Sequence, residues 1–197
     1  MFNKLKICLS YPLLWILWIC IKKSNKYNLV YADMQYYLHD YPNRMANIKY
    51  IEFVYLMIVS RTFRNVLYYR IKTYSMFIRW IYPPQNEPLI SCETEIGGGL
   101  YFCHGFSTVV VAKAIGEKCW INQQVTIGAT AKFDYPTIGN NVFIFAGALV
   151  LGNITIGNNC VIGAGAVVIK SVPDNCVVVG NPARIIRRDG IKVNEPL

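Results

Sequence analysis

A strict six-residue period governs the chain from Ile138 to Pro173. The units read IGNNVF, IFAGAL, VLGNIT, IGNNCV, IGAGAV and VIKSVP, and each opens on an aliphatic residue and has a small or aliphatic residue fifth. A helix repeats apolar residues at spacings of three and four, and a half-buried strand at a spacing of two. A period of six instead predicts short strands joined by tight turns, stacked as coils that bury the opening residues together.

The same pattern occurs upstream, with two breaks in its spacing. Further units open at Ile96, Ile115, Ile121 and Ile127, and the last three have Cys119, Val125 and Ala131 fifth. The distance from Ile127 to Ile138 is 11 residues where 12 would keep the register, and that from Phe102 to Ile115 is 13. We expect loops at these breaks and look for functional residues there, because the core itself needs only regularity. His104 lies in the first break.

Composition divides the chain into two parts. All 14 glycines lie at or after Gly97, and residues 1–88 carry 12 Lys or Arg against 4 Asp or Glu, a net charge of +8, whereas residues 89–197 carry +1. Three prolines between Tyr82 and Pro88 prevent a helix from continuing. We expect a basic helical region at 1–88, a solenoid at 89–187 and a tail at 188–197. The charge favours a membrane surface or a phosphorylated substrate as neighbour, and no motif indicates nucleic acid.

The cysteines indicate a reducing compartment. Seven cysteines make an odd number with no CxxC pair, which is typical of a cytoplasmic protein. Cys119 and Cys160 fall on fifth positions of the repeat, where we expect each to fill the space of an alanine or valine.

The basic region contains an apolar run, residues 7–21, with lysines on both flanks. As a helix it would span roughly 22 Å, short of a hydrocarbon core of roughly 30 Å. Two interpretations stay open: a segment that dips into the inner face of the membrane, giving peripheral attachment, or a buried or trimer-contact helix. Residues 61–81 predict one amphipathic helix, with Arg70 snorkelling out of its apolar face. His39 is expected to cap a helix or lie on the surface.

Four segments together resemble the serine O-acetyltransferase family and its relatives in polysaccharide biosynthesis. They are the hexapeptide run, IGGGLYFCHGFSTVVV, INQQVTIGATAK and VVVGNPARIIR. The resemblance implies a mainly β fold, a left-handed parallel β-helix preceded by helices, in a homotrimer. It also implies that acetyl-CoA binds in the groove between neighbouring β-helices, with no metal.

The family's general base is a histidine in a G-[LI]-x-x-x-H segment, which Gly99 to His104 matches. A hydroxyl is a poor nucleophile until its proton is removed, and imidazole has the unperturbed pKa closest to working pH. The resemblance therefore implies that His104 is the catalytic base. By the same resemblance the acetyl-CoA contacts are small residues for the pantetheine arm and two cations for the phosphates: Ala146, Ala164, Gly165, Lys170 and Arg184.

The chain departs from true serine acetyltransferases at three places. Leu89 to Cys92 replaces Asp-Ile-His-Pro, Cys103 replaces an aspartate before the base, and Asp134, Tyr135 and Pro136 replace Arg-His-Pro. Asp134 and Tyr135 then become the predicted substrate-binding residues. Because charged groups for a zwitterionic amino acid are missing, we expect an acetyltransferase that acts on a sugar hydroxyl in capsule, O-antigen or exopolysaccharide synthesis.

Other functions are weighed against this expectation. Serine O-acetyltransferase is the alternative enzyme, and a non-catalytic trimeric scaffold is the second. A γ-type carbonic anhydrase needs three zinc-binding histidines, and the chain has two. A nucleotidyltransferase is disfavoured because no βαβ nucleotide-binding half precedes the repeat.

Overall fold

The computed structural model describes residues 2–40, 48–86 and 88–197. Contacts divide the chain into two compact units, Met1–Gln85 and Asn86–Leu197. Glu87, in the proline-rich stretch, lies outside the described residues, as do the side chains of residues 2–9, which include the lysines before the apolar run.

The first unit is helical. Its elements are α1 (Phe2–Lys23), α2 (Tyr27–Leu38), α3 (Lys49–Val59), α4 (Arg61–Ile71), a 3-10 helix (Lys72–Ser75) and α5 (Met76–Arg79). The hydroxyl of Ser60 begins α4 by accepting a hydrogen bond from the Phe63 amide, 3.1 Å away. His39 is the exposed C-cap residue of α2, as predicted.

The apolar run forms part of α1 and packs within this unit. Trp18 is buried, with its ring centroid 5.1 Å from that of Phe53 in α3, while Trp15 packs edge-to-face on Tyr50 at 4.8 Å. Another face of α1 is open, and Ile16 is 68% exposed. The run is therefore a helix with one packed face. None of the helices in the described ranges combines the length and apolar character that crossing a membrane requires.

The predicted single helix over 61–81 is wrong. Lys72 adopts φ +43°, which ends α4, and the Ser75 hydroxyl donates to the Lys72 carbonyl at 2.5 Å to close a 3-10 turn. Arg70 does not snorkel either. Its guanidinium is buried and donates twice to the carboxylate of Asp33, at 2.9 and 3.2 Å. An α2 carboxylate within reach makes burial possible where an isolated helix would expose the charge.

The second unit is a parallel β-solenoid with three faces. As far as β13 the strands visit the faces in a constant order, because β1, β2 and β3 begin three different sheets and each strand from β4 to β13 stacks on the one three before it. Face 1 contains β1 (Leu89–Ile90), β4 (Val109–Val110), β7 (Thr126–Gly128), β10 (Leu149–Leu151) and β13 (Val167–Val168). Face 2 contains β2 (Glu95–Ile96), β5 (Ala114–Ile115), β8 (Thr137–Ile138) and β11 (Thr155–Ile156). Face 3 contains β3 (Tyr101–Cys103), β6 (Trp120–Asn122), β9 (Phe143–Ile144), β12 (Val161–Ile162) and β14 (Cys176–Val179), and continues into antiparallel β15 (Arg184–Arg188) and β16 (Ile191–Pro196).

The opening residues of the repeat form the core, as predicted. All ten are buried: Ile96, Ile115, Ile121, Ile127, Ile138, Ile144, Val150, Ile156, Ile162 and Val168. Cys119 and Cys160 are also buried at their fifth positions and take the place of small apolar side chains. Ala131 is exposed, so its expected inward position is wrong. It lies in a segment that has left the coil.

Both predicted interruptions contain loops. Equivalent positions on consecutive strands along the chain are normally six residues apart, as Phe143 and Leu149 are. The spacing rises to eight residues from Tyr101 to Val109 and to eleven from Thr126 to Thr137. The first interruption therefore adds two residues to the turn between faces 3 and 1, and the next turn, from Val109 to Ala114, is one residue short; the second interruption adds five. Parallel stacking keeps the strands aligned on either side, so the extra residues project outward.

Candidate active site

The strand register identifies the two extra residues of the first interruption as His104 and Gly105. Cys103 pairs with Asn122, and the Gln124 amide donates to the Phe106 carbonyl at 2.9 Å. On the second of these coils Asn122 and Gln123 are consecutive, whereas two residues separate Cys103 from Phe106. His104 and Gly105 therefore bulge from the turn between faces 3 and 1, which we call the His104 corner.

The backbone at His104 has a sparsely populated conformation. His104 has φ +66° and Gly105 φ +67°, and the Gly105 amide donates to the Cys103 carbonyl at 2.9 Å. A bond between residues i and i+2 across a residue of positive φ defines a classic γ-turn, with His104 at its centre. A left-handed backbone costs a non-glycine residue roughly 1–2 kcal/mol, and such conformations cluster at functional sites.

The imidazole of His104 is exposed at this corner, and none of the described residues hydrogen-bonds to it. The nearby carboxylates do not provide an orienting partner. Glu93 and Glu95 lie at the start of face 2, on a different corner from His104. The γ-turn therefore fixes the backbone from which the imidazole projects.

The His104 corner also contains the small residues predicted to contact the donor. The Gly147 amide donates to Gln123 at 3.1 Å, and the Gly165 amide donates to Ala146 at 2.9 Å, so the turns stack coil upon coil. A Cβ atom built on Gly165 would meet nothing within 4 Å. Ala146, Gly147, Ala164 and Gly165 thus form an open shelf, which we call the small-residue shelf. At the strand spacing, Ala164 lies about 14 Å along the stack from the coil of His104.

The two predicted phosphate ligands occupy different places. Arg184 pairs with Val179 at the end of β14, where the chain again reaches the His104 corner. Lys170 follows β13, at the turn from face 1 towards face 2. Each currently contacts the C-terminal segment: Lys170 Nζ donates to the Leu197 carbonyl at 2.8 Å, and Arg184 Nε donates to Asn194 Oδ1 at 2.8 Å.

Asp134 and Tyr135 lie in the second interruption, between faces 1 and 2. Within one chain they are therefore on a different corner from His104. The Asp134 carboxylate accepts hydrogen bonds from the Thr130 hydroxyl at 2.7 Å and the Thr130 amide at 3.1 Å. These bonds, the hydroxyl first, hold the pKa of Asp134 below its usual range. The carboxylate therefore closes its own loop and remains ionised.

Gln123 is a further candidate to which the sequence assigned no role. It lies on the coil next to the His104 bulge, and its Oε1 is buried without a hydrogen-bond partner among the described residues. A buried amide oxygen without a donor is costly, so such an atom next to a candidate base indicates a place for a ligand N–H or O–H. The signal was present in the sequence as Gln-Gln at a turn where later coils have Ala-Gly.

Comparison with known proteins identifies the repeat and similar proteins. Residues 135–170 match the bacterial transferase hexapeptide (six repeats) family. The chain carries the hexapeptide repeat of bacterial transferases. It is similar to the serine acetyltransferase of Synechococcus elongatus, with 48% identity over 104 residues that cover 51% of the chain and 43% of the relative. It is also similar to that of Staphylococcus aureus strain Mu50, with 45% identity over 105 residues, 51% of the chain and 49% of the relative.

The likeness extends to solved structures. The crystal structure of serine acetyltransferase in complex with coenzyme A from Brucella abortus strain S19 superposes with a TM-score of 0.67 at 27% identity, covering 87% of this chain and 72% of that one. The chain spans about half the length of the curated relatives it matches.

The relatives overturn one prediction. They are serine acetyltransferases, so the expected preference for a sugar hydroxyl over L-serine, within polysaccharide synthesis, was wrong. That expectation gave three local losses of charge more weight than a likeness spread over half of the chain. The absence of a charged side chain from one coil says little about which acceptor the protein uses, because other residues, or another subunit, can bind the acceptor.

Proposed function

We propose that this chain is an acetyl-CoA-dependent serine O-acetyltransferase. The observation that carries the proposal is the similarity to serine acetyltransferases over half of the chain, at 45–48% identity. The geometry of the His104 corner supports it, because a candidate base and an open shelf of small residues lie along the same edge of the stack.

In the proposed mechanism, His104 acts as general base. Its imidazole removes the proton of the serine hydroxyl as the oxygen attacks the thioester carbon, and coenzyme A leaves as the thiolate when the tetrahedral intermediate collapses. Backbone amides near the bulge would stabilise the developing oxyanion. The γ-turn contributes by fixing the backbone from which the imidazole projects, which limits the reorganisation needed to reach the transition state.

The small-residue shelf is proposed to bind the pantetheine arm of acetyl-CoA. Ala146, Ala164 and Gly165 lack bulk where the arm would lie against the backbone, and the open space at Gly165 fits that role. Lys170 and Arg184 remain predicted phosphate ligands. Each would exchange a contact with the C-terminal segment for a charge-assisted bond to the donor.

A homotrimer of left-handed β-helices completes the proposal. The single chain leaves large apolar side chains exposed at two corners: Phe106 and Phe145 at the His104 corner, and Phe133 and Ile169 between faces 1 and 2. Threefold association would cover them and could bring Asp134 and Tyr135 of one subunit towards His104 of another. Sedimentation equilibrium tests this, and a monomer at micromolar concentration would contradict it.

The activity is tested by thiol release from acetyl-CoA with purified protein. We expect saturable turnover with L-serine, and much lower rates with L-threonine, L-homoserine and glycerol. Absence of thiol release above background with L-serine would refute the proposed acceptor. Failure with every acceptor, despite binding of coenzyme A measured by calorimetry, would favour the non-catalytic scaffold.

A further inference from the structure

The end of the helical unit exposes a ridge of large apolar side chains. Phe77 is 85% exposed and Trp80 90%, and Tyr74, Met76 and Ile81 are exposed beside them. We call residues 74, 76, 77, 80 and 81 the aromatic ridge. Single exposed apolar residues are ordinary, but five within eight positions, including a tryptophan, mark an interaction surface.

The local backbone explains why these side chains are not packed. Positive φ at Lys72 ends α4 and starts the 3-10 turn, so the helical period that buries Phe63, Leu67 and Ile71 does not continue. Beyond that turn, Ile78 is the buried apolar side chain of α5. One anchored residue fixes the segment to the unit while its neighbours remain in solvent.

The exposed surface of the helical unit is strongly cationic. Within the described ranges of this unit, the exposed basic side chains are Lys22, Lys23, Lys26, Lys49, Arg61, Lys72 and Arg79. The exposed acidic side chain in the same ranges is Asp40, because Asp33 and Glu52 are buried. Lys72 and Arg79 are the exposed cations nearest to ridge residues in sequence. The natural partner of the ridge is therefore anionic.

A cavity connects the ridge to the basic end of α1. It has a volume of about 390 Å³ and is lined by the apolar side chains of Leu17, Ile21 and Ile71 and by Lys26, Lys72 and Tyr74. Basic groups thus surround an apolar floor next to exposed aromatic rings. Such a combination suits a partner that offers negative charge at its surface and apolar material below it.

We propose that the aromatic ridge binds the surface of an anionic phospholipid bilayer. The rings of Trp80, Phe77 and Tyr74 enter the headgroup region, and the surrounding cations contact the lipid phosphates. A second copy of the chain is disfavoured as occupant, since it would place two surfaces of like charge together. The attachment is peripheral and involves residues 72–81 and the end of α1, and it does not depend on the proposed acetyl transfer.

The test is sedimentation of the full chain with vesicles. We expect binding to an equal mixture of phosphatidylcholine and phosphatidylglycerol at low salt, release at high salt, and weak binding to phosphatidylcholine alone. The double variant Phe77→Ser, Trp80→Ser should reduce binding about tenfold or more, because both substitutions remove apolar surface that enters the interface. Lys26→Gln with Lys72→Gln should weaken binding at low salt and make the remaining binding less sensitive to salt, because the apolar contribution stays in place.

Ile191→Ser is the control, since Ile191 is an exposed apolar side chain of the solenoid unit, 70% exposed, and its replacement should leave vesicle binding unchanged. Blue shift of tryptophan emission on vesicle addition, lost in Trp80→Ser, gives a second readout. Equal vesicle binding by the wild type and the double variant would overturn the proposal. So would wild-type protein that ignores vesicles but dissociates into smaller species when Phe77 and Trp80 are replaced, because the ridge would then bind a second copy.

Discussion

His104 has a left-handed backbone although it is not a glycine and does not occupy one of the turn positions that the repeat places in this conformation. Register makes it an inserted residue, and the hydrogen bond from Gly105 to Cys103 holds it at φ +66°. The surrounding coil retains this strained residue because the strands on either side are paired with the next coil. The cost of the turn is consistent with selection for where the imidazole is placed.

Replacing His104 by Asn should abolish catalysis and preserve the fold. Asn tolerates a left-handed backbone, so the γ-turn can persist while the base is lost. We expect kcat for thiol release with L-serine to fall by about 100-fold or more, with an unchanged melting temperature. His39→Asn is the matched control, because His39 is an exposed helix cap in the other unit. Unchanged acetyl transfer by His104→Asn would contradict the proposed mechanism.

The buried pair of Arg70 and Asp33 is the second informative site at this scale. Arg70→Met leaves the carboxylate of Asp33 buried without its partner, so we expect a loss of about 3–5 kcal/mol in the free energy of unfolding. The double variant Asp33→Leu, Arg70→Met should recover most of that loss, since no charge is left buried. Urea denaturation followed by circular dichroism measures both. A double variant as unstable as Arg70→Met would show that the pair contributes shape rather than charge.

At the scale of the element, the turns between faces 2 and 3 form an asparagine ladder, which ends at Asp189 in the turn between β15 and β16. The side chain of Asn141 donates to Asn159 at 3.0 Å, Asn159 to Asn175 at 2.9 Å, and Asn175 to Asp189 at 2.9 Å. All four residues have φ between +49° and +57°. Asn fits this turn for two reasons. It tolerates the left-handed backbone, and its side-chain amide forms a hydrogen bond that links one coil to the next.

Substitutions at Asn159 separate these two contributions. Asn159→Gly keeps the backbone freedom and loses the ladder, whereas Asn159→Ala loses both. We expect unfolding free energies in the order wild type, Asn159→Gly, Asn159→Ala, with a total loss of about 2 kcal/mol for the alanine. Equal losses for the two variants would mean that the left-handed backbone carries no cost at this turn. Guanidinium denaturation of each protein gives the comparison.

At the scale of the whole molecule, the solenoid core contains thiols that cannot ionise without loss of stability. Burial raises the pKa of Cys119 from 9.0 to about 11. A group with a raised folded-state pKa contributes stability that is complete below its unfolded pKa and disappears as the pH rises through the folded pKa. The alkaline window for Cys119 therefore runs from pH 9 to about 11.

Cys119→Val should flatten the decline of stability across this window. Val142 occupies the equivalent position on the next coil, so valine fits the site without a new cavity. We expect the unfolding free energy of the wild type to fall by an additional 2 kcal/mol or so relative to the variant between these two pH values. Cys92→Ser, at an exposed cysteine, should follow the wild type. Parallel pH profiles for Cys119→Val and wild type would contradict the assignment.

The sequence by itself determined the solenoid, its core and the positions of both interruptions. A period of six is read directly from the chain, since each opening residue must face inward on every coil, and Ile138 through Val168 do so. The count also placed His104 within the first break, between Phe102 and Ile115, and the family resemblance then singled it out as the candidate base. These features depend on local spacing, which one sequence contains in full.

Only the tertiary structure decided which residues share a surface. It placed Ala146, Ala164 and Gly165 on the same corner as His104, and Lys170 and Asp134 on another corner. The corner that a residue occupies depends on which turns of the solenoid contain the extra residues of the two interruptions. The tertiary structure also broke the helix at Lys72, where a positive φ overrode an unbroken apolar period, and paired Arg70 with a carboxylate 37 positions away in sequence. Contacts between residues that are distant in sequence depend on how the elements pack against one another. The spacing of residues along the chain does not reveal this packing.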